Sequence, residues 1–154
     1  MDKKLKKVSF IFLFSIVVNS LSGIEIPYKK GTNKDILFKE FKNIQHIKDD
    51  KYSVLFNKTN LEQIVFWIDN EVGLYYVKEI SKYYNKEEIY SEFQKKKEDL
   101  QSTYGSPNKE GDKSIFWTIQ NNGIEYIWIF IQEYDGKKFK IMMEVQFNNK
   151  ELLP

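Results

Sequence analysis

The sequence contains no cysteine, no arginine and no alanine, and only one histidine. Without cysteine, the chain cannot form a disulfide framework or a cysteine-based metal cluster, and no lipid can be attached to an N-terminal cysteine. Without arginine, no guanidinium is available for bidentate recognition of phosphate or carboxylate groups. A single histidine cannot supply a multi-histidine metal site. These absences exclude several common kinds of catalytic and metal centre.

The first 22 residues have the layout of a secretory signal peptide. Met1–Lys7 carries four lysines, Val8–Val18 is a run of eleven residues without a charge, and Ser20 and Ser22 are small residues placed before Gly23. A spanning helix needs about 20 apolar residues, so we expect cleavage rather than retention in a membrane. The sequence therefore predicts export to the periplasm or the extracellular space. Anchorage by an uncleaved N-terminal segment, with membrane contact through that segment alone, is the alternative.

Charge gives no support for nucleic-acid binding once the leader is removed. The whole chain has 24 basic and 22 acidic residues, of which residues 1–22 hold four lysines and one aspartate. The remaining 132 residues therefore carry 20 basic and 21 acidic side chains, a net charge of −1. Because a nucleic-acid-binding surface needs an excess of basic residues, we expect no nucleic-acid partner.

The mature chain is expected to form one domain. Gly23–Asn33 is polar and contains two glycines, so we interpret it as a flexible lead-in. Residues 34–150 show no linker and no internal repeat, and their length is sufficient for a single core. We therefore predict a single α+β domain over residues 34–150.

The clearest element is an amphipathic helix that begins at Asn85. Asn85 and Glu88 have the spacing of a capping box. Gly105 and Pro107 are the glycine stop and the proline that end a helix at Tyr104. Between these signals, apolar residues recur with the period of one helix face: Ile89, Phe93, Leu100 and Tyr104.

Two turn motifs after the helix predict the register of three strands. Asn122-Gly123 and Asp135-Gly136 are typical of two-residue type I′ hairpin turns. Counting outward from these turns places Trp117 opposite Trp128 and Trp128 opposite Met143. Since side chains alternate between faces, the same count adds further residues to this face: Ile115, Ile119, Tyr126, Phe130, Ile141, Val145 and Phe147. We expect the helix to cover it.

The upstream sequence completes the predicted fold. Asp35–Ile47 has apolar spacing typical of a helix, Tyr52–Phe56 is a short apolar run typical of a strand, and Leu61–Asp69 with Leu74–Ser81 predicts a hairpin. The prediction is an α+β domain with an antiparallel sheet of about five strands, in the order β-β-α-β-β-β. One long helix packs on one face, and a helical segment precedes the sheet.

No pattern of residues predicts a catalytic, cofactor or metal site. His46 lies in a polar-flanked segment and is expected to be exposed or merely packed. Asp69 and Glu71 form an acidic pair next to a predicted turn, and an enzyme would need such a pair beside a pocket. Solvated turn carboxylates are the simpler interpretation. We predict a non-enzymatic protein without a cofactor or metal.

One short motif carries a resemblance. Tyr104-Gly105-Ser106-Pro107 ends the helix and is followed by a hairpin that bears Trp117. This arrangement resembles small exported bacterial domains of unknown function, over Leu61–Phe147. The resemblance implies export and an α+β fold, and it provides no activity that could be transferred to this chain. A purely structural role for the motif, in which Gly105 caps the helix and Trp117 fills the core, remains the alternative.

The second face of the sheet is the predicted interaction surface. The same register places five apolar side chains there, with a charged rim around them: Phe116, Ile127, Ile129, Ile131 and Met142. Our leading hypothesis is an exported protein-interaction module of the cell envelope, whose partner is an envelope protein or a second copy. The alternative function is binding of a small apolar ligand or lipid on that face. Coverage of the face by Asp35–Ile47, as part of the core, is the structural alternative.

Overall fold

A computed structural model describes residues 18–19, 25–26, 30–57, 59–119 and 123–148 of the chain. Apart from Val18–Asn19, the predicted signal peptide lies outside these residues, as do residues 23–24 and 27–29 of the predicted lead-in. Strand β1 (Val18–Asn19) pairs antiparallel with strand β2 (Glu25–Ile26). In the sequence, the predicted cleavage point before Gly23 falls between these two strands.

The main body is an α+β domain that is mostly β, with one sheet of eight antiparallel strands and two helices. The elements follow in the order α1 (Lys34–Glu40), β3 (Gln45–Lys48), β4 (Lys51–Leu55), β5 (Leu61–Asp69), β6 (Gly73–Ser81), α2 (Lys86–Tyr104), β7 (Lys109–Gly111), β8 (Ser114–Thr118), β9 (Ile124–Tyr134) and β10 (Lys138–Phe147). Across the sheet, the strand order is β3-β4-β5-β6-β10-β9-β8-β7.

The predicted sheet of about five strands with a single long helix is therefore wrong. The sequence predicted neither edge strand, because β3 and β7 are short, polar and exposed at every residue. Such strands lack the apolar alternation by which a strand is recognised. Strand β4 and the β5–β6 hairpin lie where the sequence predicted them.

The two halves of the sheet repeat the same arrangement. In both α1-β3-β4-β5-β6 and α2-β7-β8-β9-β10, the successive connections have four, two, five and three residues. Residues 63 positions apart are identical and buried in both halves at three places: Leu37 and Leu100, Ile64 and Ile127, and Ile68 and Ile131. The structure thus contains an internal repeat, contrary to the sequence prediction. The halves share a burial pattern with few identical residues, and for that reason the repeat does not stand out in the sequence.

Helix α2 confirms the predicted signals at both of its ends. Asn85 Oδ1 accepts hydrogen bonds from the N–H groups of Glu87 and Glu88, both at 2.9 Å, and the Glu88 carboxylate accepts from the N–H of Asn85. Gly105, at φ 80°, follows the last helical residue. The buried side chains of α2 are Ile89, Phe93, Lys96 and Leu100.

Helix α1 is shorter than predicted. It ends at Glu40, and Gln45–Lys48 forms the edge strand β3, so the predicted helix over Asp35–Ile47 is wrong in its second half. Pairing of His46 with Tyr52 of β4 outweighs the weak local helical pattern. The Phe41 ring lies 5.4 Å from the Phe66 ring, on the same side of the sheet as α2.

Both helices cover one face of the sheet, the helix-covered face, and the core lies between them and it. Two rows of paired residues cross this face: Tyr52, Phe66, Val77, Val145, Ile127 and Trp117 in one, and Val54, Ile64, Glu79, Met143, Ile129 and Ile115 in the other. Every member is at most 6% exposed. The Trp117 indole N–H donates to the carbonyl of Gly105 at 2.9 Å, which ties the end of α2 to β8.

The predicted register of β9 is wrong by one residue on both of its sides. Trp117 pairs with Ile127 rather than with Trp128, and Met143 pairs with Ile129. The connection from β8 has five residues, and the Asp135-Gly136 connection has three, although Asp135 and Gly136 have the predicted positive φ. Since a shift of one residue turns every side chain to the other face, β9 is inverted relative to the prediction.

Candidate interaction surface

The face of the sheet opposite the helices, the open face, carries large side chains in three rows. Within the part of the chain that the structure describes, no helix lies on it. The central row crosses all eight strands: Gln45, Ser53, Val65, Lys78, Glu144, Trp128, Phe116 and Lys109. The flanking rows are Lys51, Trp67, Tyr76, Gln146, Tyr126 and Thr118, and Leu55, Gln63, Ile80, Met142, Phe130 and Ser114.

Aromatic rings dominate the open face and contact one another in pairs. Trp128 and Phe130 have ring centroids 4.4 Å apart, and the Phe116 and Tyr126 centroids lie 5.4 Å apart. In the other half of the sheet, Trp67 meets Tyr76 edge to face at 4.7 Å. Trp128 is 38% exposed, and its aromatic neighbours on this face are half-buried. These rings form an aromatic surface on the open face, and Trp128 is its most exposed ring.

A polar cluster lies at the middle of the aromatic surface, where β6 meets β10. Lys78 Nζ lies 2.9 Å from Glu144 Oε1, and it also lies 5.6 Å from the centroid of the Phe130 ring. Burial raises the pKa of Tyr76, and its hydrogen bond to Glu144 raises it further. Because the Glu144 side chain is only 12% exposed, this carboxylate depends on Lys78 and Tyr76 for its partners.

A second ion pair lies at one end of the open face. Lys140 Nζ lies 2.7 Å from Glu62 Oε1 and 4.1 Å from the centroid of the Tyr83 ring. The Tyr83 ring packs edge to face on Tyr134. The carboxylates of Glu62 and Glu144 are thus each neutralised by a lysine of the same surface.

The structure separates the five predicted surface residues. Phe116 and Met142 lie on the open face, whereas Ile127, Ile129 and Ile131 lie on the helix-covered face and are buried. The five residues therefore do not form one surface. Their separation follows from the inverted register of β9.

The predicted interaction surface left out five aromatic residues of the open face: Trp67, Tyr76, Tyr126, Trp128 and Phe130. In β9 both alternating sets are apolar, so the period of two cannot tell which set faces the core. The kind of apolar residue, aliphatic or aromatic, was the signal that could have distinguished the two faces. In β9, branched aliphatic residues at 127, 129 and 131 alternate with aromatic residues at 126, 128 and 130.

The acidic pair considered for catalysis is part of a turn. Asp69 Oδ1 accepts hydrogen bonds from the N–H groups of Val72, at 3.0 Å, and Glu71, at 2.7 Å. These bonds lower the pKa of Asp69, whereas a general acid at neutral pH needs a raised pKa. A surface cleft of about 690 Å³ adjoins the pair, and its lining is largely polar. The observed arrangement is that of a solvated turn.

His46 lies on the exposed edge strand β3, where its Nε2 is 2.6 Å from the carbonyl oxygen of Asp49. No group of three or more histidine, cysteine, aspartate or glutamate side chains in the described residues could hold a metal ion. His46 thus forms a local turn contact.

A shallow groove of about 380 Å³ lies on the open face near its β7 edge. Phe116 and Trp128 form its apolar wall, and Lys109 with Glu110 forms its polar rim. This groove is continuous with the aromatic surface.

Among residues 30–57, 59–119 and 123–148, no helix is long and apolar enough to cross a membrane. Comparison of the chain with family models, with curated proteins and with solved structures gave no match. The open face is therefore the feature from which function can be argued.

Proposed function

We propose that this protein is an exported, non-enzymatic interaction module of the cell envelope that binds a protein partner through the open face. The observation that carries the proposal is the aromatic surface around Trp128, on the side of the sheet without a described helix. Export is supported by the leader layout of residues 1–22.

The composition of the open face is that of a protein interface. Tryptophan and tyrosine are enriched at interfaces, and they account for a large share of binding energy where they cluster near the centre. Here Trp128 lies in the central row, between Phe116 and Glu144, with Tyr126 in the neighbouring row. The half-buried rings are already packed against one another, so little side-chain entropy would be lost when a partner binds.

The strand sequences support the same conclusion. A strand with one face in water alternates apolar and polar residues, whereas a strand covered on both faces is apolar throughout. Strand β9 has isoleucine at 127, 129 and 131 on the helix-covered face, and Tyr126, Trp128 and Phe130 on the open face. This pattern is typical of a strand in the middle of three layers, of which the two described helices supply one.

A broad surface suits a protein better than a small apolar ligand. Ligand pockets are concave and bury most of the ligand. The open face instead extends across eight strands, and its groove beside Phe116 has a charged rim. The small-ligand hypothesis is therefore the second candidate, supported only by that groove.

The proposal can be tested by photo-crosslinking in the producing cells. A photoreactive residue at position 128 should crosslink to a discrete protein of the envelope fraction. Position 90 is the matched control, because Tyr90 is similarly exposed (41%, against 38% for Trp128) but lies on α2, on the opposite side of the sheet. Crosslinks at both positions, or adducts at 128 only within the chain, would contradict the proposal. Lipid adducts at 128 would favour the small-ligand candidate instead.

A further inference from the structure

We infer that a second copy of this chain occupies the open face, so that two sheets pack face to face as a sandwich. This inference rests on the proposed function and specifies its partner. Three observations carry it: the area of the face, the arrangement of its charges, and the distribution of large and small side chains between the two halves of the repeat.

The open face has the area that a stable dimer needs. Neighbouring strands lie about 4.8 Å apart and alternate residues about 6.8 Å apart, so the central row of eight residues and the two flanking rows of six cover roughly 650 Å². Two copies would then bury about 1,300 Å², within the range of about 1,200–2,000 Å² for specific interfaces. Sheets in sandwiches pack about 10 Å apart through such faces.

The central charges are complementary to a copy of themselves. Lys78 and Glu144 are neighbours in the central row, on the two strands that join the halves of the sheet. A two-fold axis parallel to the strands, between β6 and β10, places Lys78 of each copy over Glu144 of the other. The two contacts are identical and each is favourable. Lys109 is on the edge strand β7, where water screens its charge.

Side-chain size is complementary under the same axis. Ser53 and Val65 of the first half occupy the places that Phe116 and Trp128 occupy in the second half, 63 positions later. The axis reverses the order of strands, so Trp128 of one copy lies over Val65 of the other, and Phe116 of one copy lies over Ser53 of the other. Ser53 and Val65 are both buried, and their side chains are much shorter than the rings at the matching positions of the second half. In the central row, the two rings of each copy thus face shorter side chains of the other.

The test is the oligomeric state of the exported, purified protein, measured by sedimentation velocity over a concentration series. The parent should sediment as a dimer. Lys78→Glu places a carboxylate at position 78 opposite Glu144 of the other copy. Glu144→Lys places an amine at position 144 opposite Lys78 of the other copy. Each single variant should raise the dimer dissociation constant about tenfold or more. An equimolar mixture of the two variants should recover the heterodimer, because each new charge then faces its opposite.

Recovery on mixing separates an interface effect from damage to the fold, since a damaged chain is not repaired by a second damaged chain. Circular dichroism of each single variant confirms that it remains folded. A parent that stays monomeric at its highest soluble concentration would overturn the dimer, as would single variants that dimerise like the parent, or a mixture that does not recover. If the parent is monomeric but position 128 crosslinks to another protein, the dimer fails and the proposed function stands. If position 128 also gives no intermolecular crosslink, both fail.

Discussion

Lys78 and Glu144 form an ion pair, with 2.9 Å between Nζ and Oε1, that joins the two halves of the sheet at the middle of the open face. Their side chains are 27% and 12% exposed, so the pair is neither fully solvated nor fully buried. Replacement of Glu144 by Gln leaves the Lys78 charge without its carboxylate. We expect a loss of about 1–3 kcal/mol in the free energy of unfolding, between the values for exposed and buried pairs. Urea unfolding measures this loss.

The matched control for this change is the exposed pair Lys113–Glu133, whose side chains are 52% and 46% exposed. Glu133→Gln should change the unfolding free energy by no more than about 0.5 kcal/mol. The double variant Lys78→Met, Glu144→Leu should recover most of the lost stability, because neither charge remains. Equal losses at the two glutamates would contradict this account of Glu144.

Glu79 and Lys96 are the second pair to test, because both are buried, Lys96 on α2 and Glu79 on the helix-covered face. Burial lowers the pKa of Lys96, and the carboxylates of Glu79 and Asp99 oppose that shift. In Glu79→Leu, the Lys96 amine loses the Glu79 carboxylate. We expect the free energy of unfolding to fall by about 3–5 kcal/mol. The deficit should shrink as the pH rises toward the ordinary lysine pKa of 10.5, because the unfolded chain then binds more protons than the folded chain. Urea unfolding at several pH values tests this. A constant deficit would contradict it.

Tyr104 is the position where a substitution should stabilise the protein. Its hydroxyl is buried and has no hydrogen-bond partner among the described residues. Tyr104→Phe removes this unsatisfied group and should raise the unfolding free energy by up to about 1 kcal/mol at neutral pH. Thermal or urea unfolding measures the gain, and Tyr90→Phe, at an exposed position of the same helix, should change stability little.

The same hydroxyl predicts a pH dependence. Burial raises the pKa of Tyr104 to about 12, from an ordinary value of 10.0. The stability that depends on the neutral phenol is present below pH 10 and is lost as the pH rises from 10.0 to about 12. Tyr104→Phe should therefore lose less stability than the parent over this range. An identical decline in the free energy of unfolding of the two proteins would contradict the raised pKa of Tyr104.

Gly73 is a backbone position that no other residue should fit. Its φ is +74°, and an added Cβ would lie 2.5 Å from the carbonyl oxygen of Gly31. Gly31 and Thr32 are hydrogen-bonded to Leu74 at this point, so the backbone has little freedom to move. Gly73→Ala should lower the free energy of unfolding by about 1–3 kcal/mol or more. At Gly111, the nearest atom would be 3.7 Å away and φ is not positive, so Gly111→Ala should cost far less in the same unfolding measurement.

Local signals were sufficient to predict α2 and the hairpin of β5 and β6. The side chains of Asn85 and Glu88 satisfy the first N–H groups of the helix, and Gly105 ends it, without help from distant residues. The positive φ of Asp135 and Gly136 was likewise predictable, because it depends on those two residues.

The faces of β9 depend on contacts that the sequence does not specify. Its residues are apolar on both faces, so the one-residue shift in register determined which set faces the helices. The edge strands β3 and β7 exist because they pair with β4 and β8, and their own residues are polar. The sequence therefore predicted a surface on the second face of the sheet, but three of the five residues assigned to that surface lie on the helix-covered face. The repeat became visible only through the equal connections of the two halves.

The central claim, that the open face is a binding surface, is tested most directly by hydroxyl-radical footprinting. Oxidation of Trp128 and Phe116 is compared between producing cells and the purified protein at a dilution where it is monomeric, with Tyr90 as the internal reference. We expect both open-face residues to be oxidised several-fold less in the cell, while Tyr90 is oxidised equally in the two samples. Equal oxidation of Trp128 in both samples would mean that nothing covers the open face in the cell, and would contradict the account.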